Sequence, residues 1–268
     1  MDTDLSSKPV DKINRDELPR RSSLHEFVRA RLSPESFVGL HLTVGLVALG
    51  AALLLFGVIA ENVAAGDSLT RVDARINAWL HAHNQTQLTT FCLLISNLHS
   101  NLVVTTVTVA ICAYLWERHL RYWVLTFVFT VFGGMLLNYL LKLLFVRPRP
   151  HFDDPILILT TFSFPSGHTL LAVVFYGTLC VFAVSRLRVW KLRVPLIFTG
   201  LLMIALVGFS RMYLGVHYLS DVLGAIVEGL AWLALCLITV GILRMRRGIK
   251  REHTRIRLGN ESATQRPR

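Results

Sequence analysis

Charged residues are scarce in this chain, and acidic residues are the scarcer kind. Asp, Glu, Lys and Arg together make up 17% of the 268 residues, whereas 53% are hydrophobic. Soluble globular domains carry about 25% charged residues, so the composition disfavours a soluble protein and makes a membrane protein the first class to test. Only 17 Asp and Glu oppose 28 Lys and Arg, and the location of these cations therefore needs an explanation.

Cysteine is also scarce, and its positions argue against a metal site. The four cysteines all lie in apolar stretches, at Cys92, Cys112, Cys180 and Cys236. Because their separations match no metal-ligand spacing, we interpret them as small buried hydrophobic side chains. The sequence has no repeat of solenoid type, and no signal peptide is expected, because the first apolar run follows a long polar segment and is too long for an h-region.

Six apolar runs predict membrane-spanning helices. A spanning helix needs roughly 20 residues, since about 30 Å of hydrocarbon is crossed at about 1.5 Å per residue. We expect the second run to break near Asn97–Asn101, and the fourth and fifth to be short. The predicted spans are Phe37–Ala60, Leu88–Trp116, Tyr122–Phe145, Thr169–Val184, Val194–Phe209 and Leu219–Leu243. The expected fold is all-α, a polytopic membrane protein with a six-helix bundle.

The basic residues concentrate on one side of this topology. Seven precede the first span, six lie in the two loops on the same side and nine follow the last span, which makes 22 of the 28 Lys and Arg residues. By the positive-inside rule, that side and both termini are cytoplasmic. Topology and attraction to anionic lipid account for the positive charge, so no nucleic-acid partner is predicted.

Three segments follow from these patterns. Residues 1–36 mix charges with Ser and Pro, and residues 246–268 are strongly basic, so we expect both to be mostly disordered cytoplasmic tails. Residues 37–245 form the membrane domain.

A helix is also predicted between the first two spans, from the stretch SLTRVDARINAWLHAH. Its apolar residues recur at helical spacing, at Val72, Ile76, Trp79 and Leu80. The helix either lies in the outer membrane interface or packs on the bundle as an ordinary loop helix.

Small and polar residues inside the spans predict helix contacts. Gly133–Gly134 permits close helix approach. Asn138 and Lys142 are four residues apart and share a face of the third span. Glu228 lies seven residues after Asp221 on the same face, and at that depth it should point into the bundle. We interpret Glu228 as a structural hydrogen-bonding residue rather than part of a polar path.

Three polar segments on the outer side predict a phosphate site. They are KLLFVRPRP (Lys142–Pro150), FPSGH (Phe164–His168) and SRMYLGVHYLSD (Ser210–Asp221). Arg pairs with phosphate oxygens bidentately and Lys adds a point charge. The fourth and sixth spans enter from this side, so their N-termini offer N–H groups to an anion, and Gly167 lets the backbone approach a ligand closely.

The histidines of these segments supply chemistry. His217 and Asp221 lie four residues apart, so Asp221 can accept a hydrogen bond from one imidazole nitrogen and leave the other as a nucleophile. His168 is placed to protonate a leaving oxygen. Two alternatives remain: an open zinc site of two His and one Asp, which three nearby cations would disfavour, and hydrogen bonding that only ties loops together.

At these residues the sequence resembles the type 2 phosphatidic acid phosphatases, whose superfamily includes bacterial undecaprenyl-pyrophosphate phosphatases, glucose-6-phosphatase and vanadium haloperoxidases. The family pattern is Lys-x6-Arg-Pro, Pro-Ser-Gly-His and Ser-Arg-x5-His-x3-Asp. It matches here at Lys142, Arg149–Pro150, Pro165–His168, Ser210–Arg211, His217 and Asp221. The motifs span residues 142–221, and the six-helix layout extends the resemblance over 37–243.

The resemblance implies a role for each motif residue. Phosphate would be bound by Lys142, Arg149, Ser166, Gly167 and Arg211. His217 would form a phosphohistidine, Asp221 would orient it and His168 would protonate the leaving group. The resemblance implies no metal and no cofactor. His99 and Glu228 depart from what is usual outside the motifs, and either could bear on substrate shape.

The expected function is hydrolysis of a lipid phosphate or pyrophosphate at the outer face of a membrane, in a bacterium the inner or plasma membrane. By analogy with compact bacterial members, undecaprenyl pyrophosphate is favoured, with phosphatidylglycerophosphate and phosphatidic acid as alternatives. The bilayer and the lipid substrate are the expected partners, and no obligate protein partner is predicted. A non-catalytic carrier of anions or lipid phosphates, and a vanadate-dependent haloperoxidase, are the alternative functions.

Overall fold

The computed structural model describes residues 40–264, with side chains from 42 to 247. Its contacts divide the chain after Val44, and the account below concerns the unit that begins at Gly45. The predicted tail 1–36 and the predicted start of the first span at Phe37 lie outside the described residues. The helices are α1 (Leu40–Ala65), α2 (Ser68–Ala82), α3 (Thr86–Leu98), α4 (Asn101–Glu117), α5 (Arg121–Phe145), α6 (Gly167–Arg186), α7 (Trp190–Tyr213) and α8 (Leu219–Thr264).

The helices confirm an all-α, polytopic membrane protein. Five of those in the described part are long and apolar enough to cross a membrane, and six spans result if α3 and α4 form one bent span. These two helices meet at 44°, across His99–Ser100, where the Ser100 hydroxyl accepts a hydrogen bond from the backbone of Val103 and caps α4. The break predicted near Asn97–Asn101 is therefore confirmed.

Two length predictions are wrong. The fourth and fifth spans are not short: α6 has 20 residues and α7 has 24. An apolar run measures only the part of a helix that lies in hydrocarbon, whereas the helix continues through polar residues at the interface.

The helix α8 also continues to Thr264, so most of the segment predicted as a disordered tail is helical. Its Arg, Lys, Glu and Leu residues favour helix, and extending an existing helix needs no new nucleus.

The chain connectivity brings the three polar segments to one end of the bundle. The helices α5 and α7 end there and α6 and α8 begin there, because successive spans cross in opposite directions. The helix α6 packs against α5, α7 and α8, and its first two turns are buried from Thr169 to Phe175. The site therefore rests on the most enclosed helix of the bundle.

The contact between α5 and α8 is close at Gly133–Gly134. A methyl group on Gly133 would lie 2.5 Å from the Trp232 ring, so the indole packs directly on the α5 backbone. The indole N–H donates to the carbonyls of Phe129 and Thr130, at 3.0 and 3.1 Å. The close approach predicted at these two glycines is confirmed.

The helix α2 packs on α7 and α8 through only part of the apolar face that the sequence indicated, at Ile76 and Leu80. Val72 and Trp79 are exposed, at 42% and 60%. The buried residues of the helix are Asp73, Asn77 and Leu80. An acidic and an amide side chain thus face the bundle, which the hydrophobic periodicity could not reveal.

Candidate active site

Lys142 and Arg149 meet on the segment that precedes the Pro-Ser-Gly-His motif. The Lys142 ammonium donates to the carbonyls of Phe162 and Ser163, at 2.7 and 3.3 Å. The Arg149 guanidinium donates to the same Phe162 carbonyl at 3.2 Å. Two cations predicted from separate sequence positions are therefore neighbours, held by backbone oxygens.

Arg149 also reaches the catalytic candidate His217. Its Nη1 lies 3.2 Å from Nε2 of His217 and 2.6 Å from the carbonyl oxygen of Val216. Its Nε and Nη2 donate to the carbonyl and hydroxyl of Thr161, at 2.6 and 2.8 Å. Burial lowers the pKa of the Arg149 guanidinium from its ordinary value, and the Asp221 carboxylate opposes that shift. Each nitrogen of this fork has a protein acceptor in the structure.

His217 is buried, at 2% exposure, and its two ring nitrogens face different partners. Nδ1 lies 3.2 Å from Oδ2 of Asp221, which also accepts from the Tyr218 backbone N–H at 3.0 Å. A carboxylate on one side and a guanidinium donor on the other assign the proton to Nδ1 and the lone pair to Nε2. Burial, and then the charges of Arg149, Arg211 and Lys142, place the pKa of His217 well below its ordinary value.

Arg211 approaches from the last turn of α7. Its side chain is almost completely buried, and Nη1 donates to the hydroxyl of Ser96 on α3. Its Nε has no hydrogen-bond partner among the described residues. The buried cation thus carries an unused donor, and its charge contributes to the lowered pKa of His217.

The Pro-Ser-Gly-His motif forms the start of α6. The Ser166 backbone N–H donates to the Asp221 carbonyl at 3.1 Å, and the Ser166 hydroxyl lies 3.0 Å from that of Thr169. A methyl group on Gly167 would lie 3.2 Å from the Asn138 side-chain oxygen. The motif therefore joins the starts of α6 and α8, and the Ser166 hydroxyl predicted to hold phosphate is turned towards Thr169.

His168 lies in the first turn of α6 and is partly exposed. Contacts link five of the eight residues predicted for the site: Lys142, Arg149, Ser166, His217 and Asp221. Gly167 and His168 follow Ser166 at the start of α6, and the Arg211 carbonyl accepts from the Val216 backbone N–H, next to His217.

Glu228 and Asn138 link two helices beneath the site. The Asn138 amide donates to Oε2 of Glu228 at 3.1 Å and to the Pro165 carbonyl at 3.4 Å. This contact supports the interpretation of Glu228 as a structural hydrogen-bonding residue. No group of three or more His, Cys, Asp or Glu side chains in the described part of the chain could hold a metal ion.

Sequence reasoning missed a second set of polar residues behind Asp221. Arg147 forms ion pairs with Asp221 and with Asp73 of α2, and Asn77 donates to the His217 carbonyl at 3.3 Å. The signals available were the second Arg-Pro pair, at Arg147–Pro148, and an acidic residue inside an amphipathic helix.

Comparison with known proteins matches the part of the chain that contains this site to one protein family. The PAP2 superfamily model matches residues 123–244. Over 102 residues, 37% of this chain, the protein is 42% identical to phosphatidylglycerophosphatase B and 36% identical to undecaprenyl-diphosphatase BcrC, both from Bacillus subtilis (strain 168). These matches cover 50% and 48% of the two relatives, so the chain spans about half the length of the curated relatives it matches.

A solved structure matches more of the chain. The crystal structure of a transmembrane PAP2-type phosphatidylglycerolphosphate phosphatase from Bacillus subtilis has a TM-score of 0.65 and 28% sequence identity. The match covers 70% of this chain and 93% of that one. Together with the motif spacing and the geometry of the site, these matches make residues 123–244 of this integral membrane protein similar to the PAP2 superfamily.

Proposed function

We propose that this protein is a metal-independent lipid phosphatase that transfers phosphate from a lipid to His217 and then to water. The observation that carries the proposal is the double contact of the His217 ring, with Asp221 at Nδ1 and Arg149 at Nε2. An oriented, neutral imidazole whose unprotonated nitrogen faces a phosphate-binding cation has the arrangement that a nucleophile requires.

In the first step, Nε2 of His217 attacks phosphorus and the bond to the leaving oxygen breaks. Protonated His168 gives its proton to that oxygen, so the leaving group departs as an alcohol or, from a pyrophosphate, as a lipid monophosphate. Lys142, Arg149 and Arg211 neutralise the charge on the equatorial oxygens, and the backbone at Ser166–Gly167 supplies further N–H donors at the start of α6.

In the second step, water attacks the phosphohistidine. His168, now neutral, accepts the proton of that water, and the phosphorus–nitrogen bond breaks to release inorganic phosphate and neutral His217. Asp221 keeps the proton of the His217 ring on Nδ1 through both steps, because its carboxylate accepts a hydrogen bond from Nδ1.

The substrate we propose is a phosphate or pyrophosphate with an apolar tail in the bilayer. The site lies at one end of a bundle of apolar helices, where a headgroup can enter while its tail stays in lipid. One relative is named for phosphatidylglycerophosphate and the other for undecaprenyl diphosphate, so both belong in the test beside phosphatidic acid. By the positive-inside rule, we place both termini in the cytoplasm and the site on the outer face.

The test is phosphate release from these three lipids in detergent with EDTA present. Wild type and His83→Ala, which replaces an exposed histidine at the C-cap of α2, should hydrolyse at least one lipid, and His217→Ala should not. Equal activity of His217→Ala and wild type would reject the mechanism, and loss of wild-type turnover in EDTA would restore the metal alternative. Phosphate-dependent lipid binding without hydrolysis would favour a carrier. A carrier needs cations that bind phosphate, but it does not need a nucleophile oriented by Asp221.

A further inference from the structure

Arg147 lies between two completely buried carboxylates. Its Nη2 is 2.9 Å from Oδ2 of Asp73 and its Nη1 is 2.6 Å from Oδ1 of Asp221. Both carboxylates have 0% exposed side chain and the guanidinium side chain is 10% exposed. A buried carboxylate without a partner is strongly unfavourable, so one guanidinium that serves both of them fixes their positions relative to each other.

Asp73 is tied to the start of α8 as well as to Arg147. Its Oδ1 accepts from the Ser220 backbone N–H at 2.9 Å, and its Oδ2 accepts from the Ser220 hydroxyl. That hydroxyl in turn accepts from Nη1 of Arg147 at 2.6 Å. Since Ser220 immediately precedes Asp221, a carboxylate from α2 holds the backbone that carries the catalytic carboxylate.

The two oxygens of Asp221 have different partners. Oδ1 accepts a hydrogen bond from Arg147, whereas Oδ2 accepts from the Tyr218 backbone N–H and faces Nδ1 of His217. The Arg147 guanidinium also stacks 4.3 Å above the Tyr218 ring, which restricts its rotation. Any turn of the Asp221 carboxylate away from His217 would therefore break a buried ion pair.

We propose that Arg147 and Asp73 are positioning residues for phosphate transfer: Arg147 fixes the Asp221 carboxylate towards His217, and Asp73 fixes Arg147. The proposal rests on the proposed function, because it assigns His217 as nucleophile. Neither residue is among the three cations proposed to bind phosphate, so both act through Asp221.

Because Arg147 and Asp73 carry opposite charges, the proposal predicts that their removal shifts the pKa of His217 in opposite directions. The charged groups that face His217 are Asp221 and the cations Arg149, Arg211 and Lys142. Arg147 adds a positive charge behind Asp221 and Asp73 adds a negative one. Loss of the positive charge should raise the pKa of His217, and loss of the negative charge should lower it.

The experiment compares pH profiles of kcat/KM for Arg147→Gln and Asp73→Asn, using the lipid phosphate that wild type hydrolyses best. Below the pKa of His217, protonation removes the nucleophile and kcat/KM falls. We expect this acidic limb to move to higher pH in Arg147→Gln and to lower pH in Asp73→Asn, by about half a pH unit or more. The double variant should return towards the wild-type limb.

The conservative variant Arg147→Lys separates position from charge. Lysine keeps the positive charge but cannot bridge two carboxylates with a rigid fork. We expect its acidic limb to stay within about 0.3 pH unit of wild type while kcat falls about tenfold or more at little change in KM. Arg75→Gln and Asp67→Asn, exposed residues of α2 and its N-cap, are matched controls and should leave kcat and the limb unchanged.

A second readout does not depend on turnover. The Nδ1 proton of His217, shared with Asp221, should give a downfield proton resonance in the wild-type protein, absent in His217→Gln and weakened or shifted in Arg147→Gln. An unchanged resonance, limbs that move in the same direction in the two single variants, or a kcat of Arg147→Lys within twofold of wild type would overturn the proposal. If wild type hydrolyses none of the lipids, the proposed function fails separately, and the resonance alone decides whether Arg147 positions Asp221.

Discussion

Nη1 of Arg149 lies 3.2 Å from Nε2 of His217. In the proposed reaction, the first of these groups binds phosphate and the second attacks it. The guanidinium therefore occupies the nucleophilic lone pair until phosphate oxygens, which are stronger acceptors than a neutral imidazole, take its donors. Binding of the substrate and release of the nucleophile are coupled through one side chain.

Arg149→Lys should lower kcat/KM about 100-fold or more, because the variant keeps the charge but loses the fork that meets both phosphate and Nε2. Steady-state kinetics on the preferred lipid measure the effect. Arg71→Lys, an exposed arginine of α2, is the control and should match wild type. A loss of less than threefold in Arg149→Lys would show that Arg149 provides only charge.

Ser96→Ala should affect activity through Arg211. The Ser96 hydroxyl accepts from the buried Arg211 guanidinium, and a buried charged donor that loses its acceptor costs about 1–3 kcal/mol. We expect kcat/KM to fall about tenfold, since the guanidinium then shifts relative to phosphate. Ser185→Ala, at the opposite end of α6, should have no effect. Equal kinetics of the two variants would contradict the role of Ser96.

Much of this site could be predicted from the sequence, because the spacing of its motifs is local. Arg211, His217 and Asp221 lie within 11 residues of one another, and the apolar runs on either side determine at which end of the bundle they fall. The four-residue step from His217 to Asp221 is one helical turn, so their contact follows from helix geometry. The all-α fold follows from the length of the apolar runs, since each is long enough for a membrane-spanning helix.

The residues behind Asp221 could not be predicted in the same way. Asp73 and Arg147 are 74 positions apart, and each fits a simpler explanation, as a polar residue of a loop helix and as one more outer cation. Hydrophobic periodicity identified an apolar face of α2, of which Leu80 and Ile76 pack on the bundle, but it could not show that a buried ion pair also holds Asp73 there. The two Arg-Pro pairs are identical as dipeptides, and only contacts show that Arg147 faces Asp221 while Arg149 faces Nε2 of His217.

Gly133→Ala should destabilise the bundle. The added methyl would lie 2.5 Å from the Trp232 ring, and overpacking of this kind costs about 1–3 kcal/mol. Thermal unfolding in detergent should show a Tm several degrees below that of wild type. Gly57→Ala is the matched control, because a methyl there meets nothing within 4 Å, and it should unfold at or above the wild-type temperature. An unchanged Tm in Gly133→Ala would mean that Trp232 moves aside freely.

The pH dependence of wild type should show no loss of His217 as nucleophile near neutrality. Burial, and then three nearby cations, hold the pKa of His217 well below 6.5. The neutral form of His217 is the reactive one, so the nucleophile is present above that lowered pKa and is lost only as the pH falls through it. The pH profiles of kcat/KM are compared for a monoester and a pyrophosphate. A limb caused by ionisation of the substrate differs between the two, whereas a limb caused by ionisation of the enzyme is the same for both. An acidic limb of the enzyme, on which activity falls with falling pH, that lies between pH 6.5 and 7.5 for both substrates would contradict this assignment.

Trapping of the phosphoenzyme tests the central claim most directly. Wild-type protein, quenched within one turnover of lipid labelled in the transferred phosphate, should carry label that is stable in alkali, labile in acid and located on the peptide that contains His217. Asp221→Asn should accumulate less of it, and His217→Ala none. Label on another residue, or lipid hydrolysis by wild type without any labelled His217 in single-turnover experiments, would contradict the account.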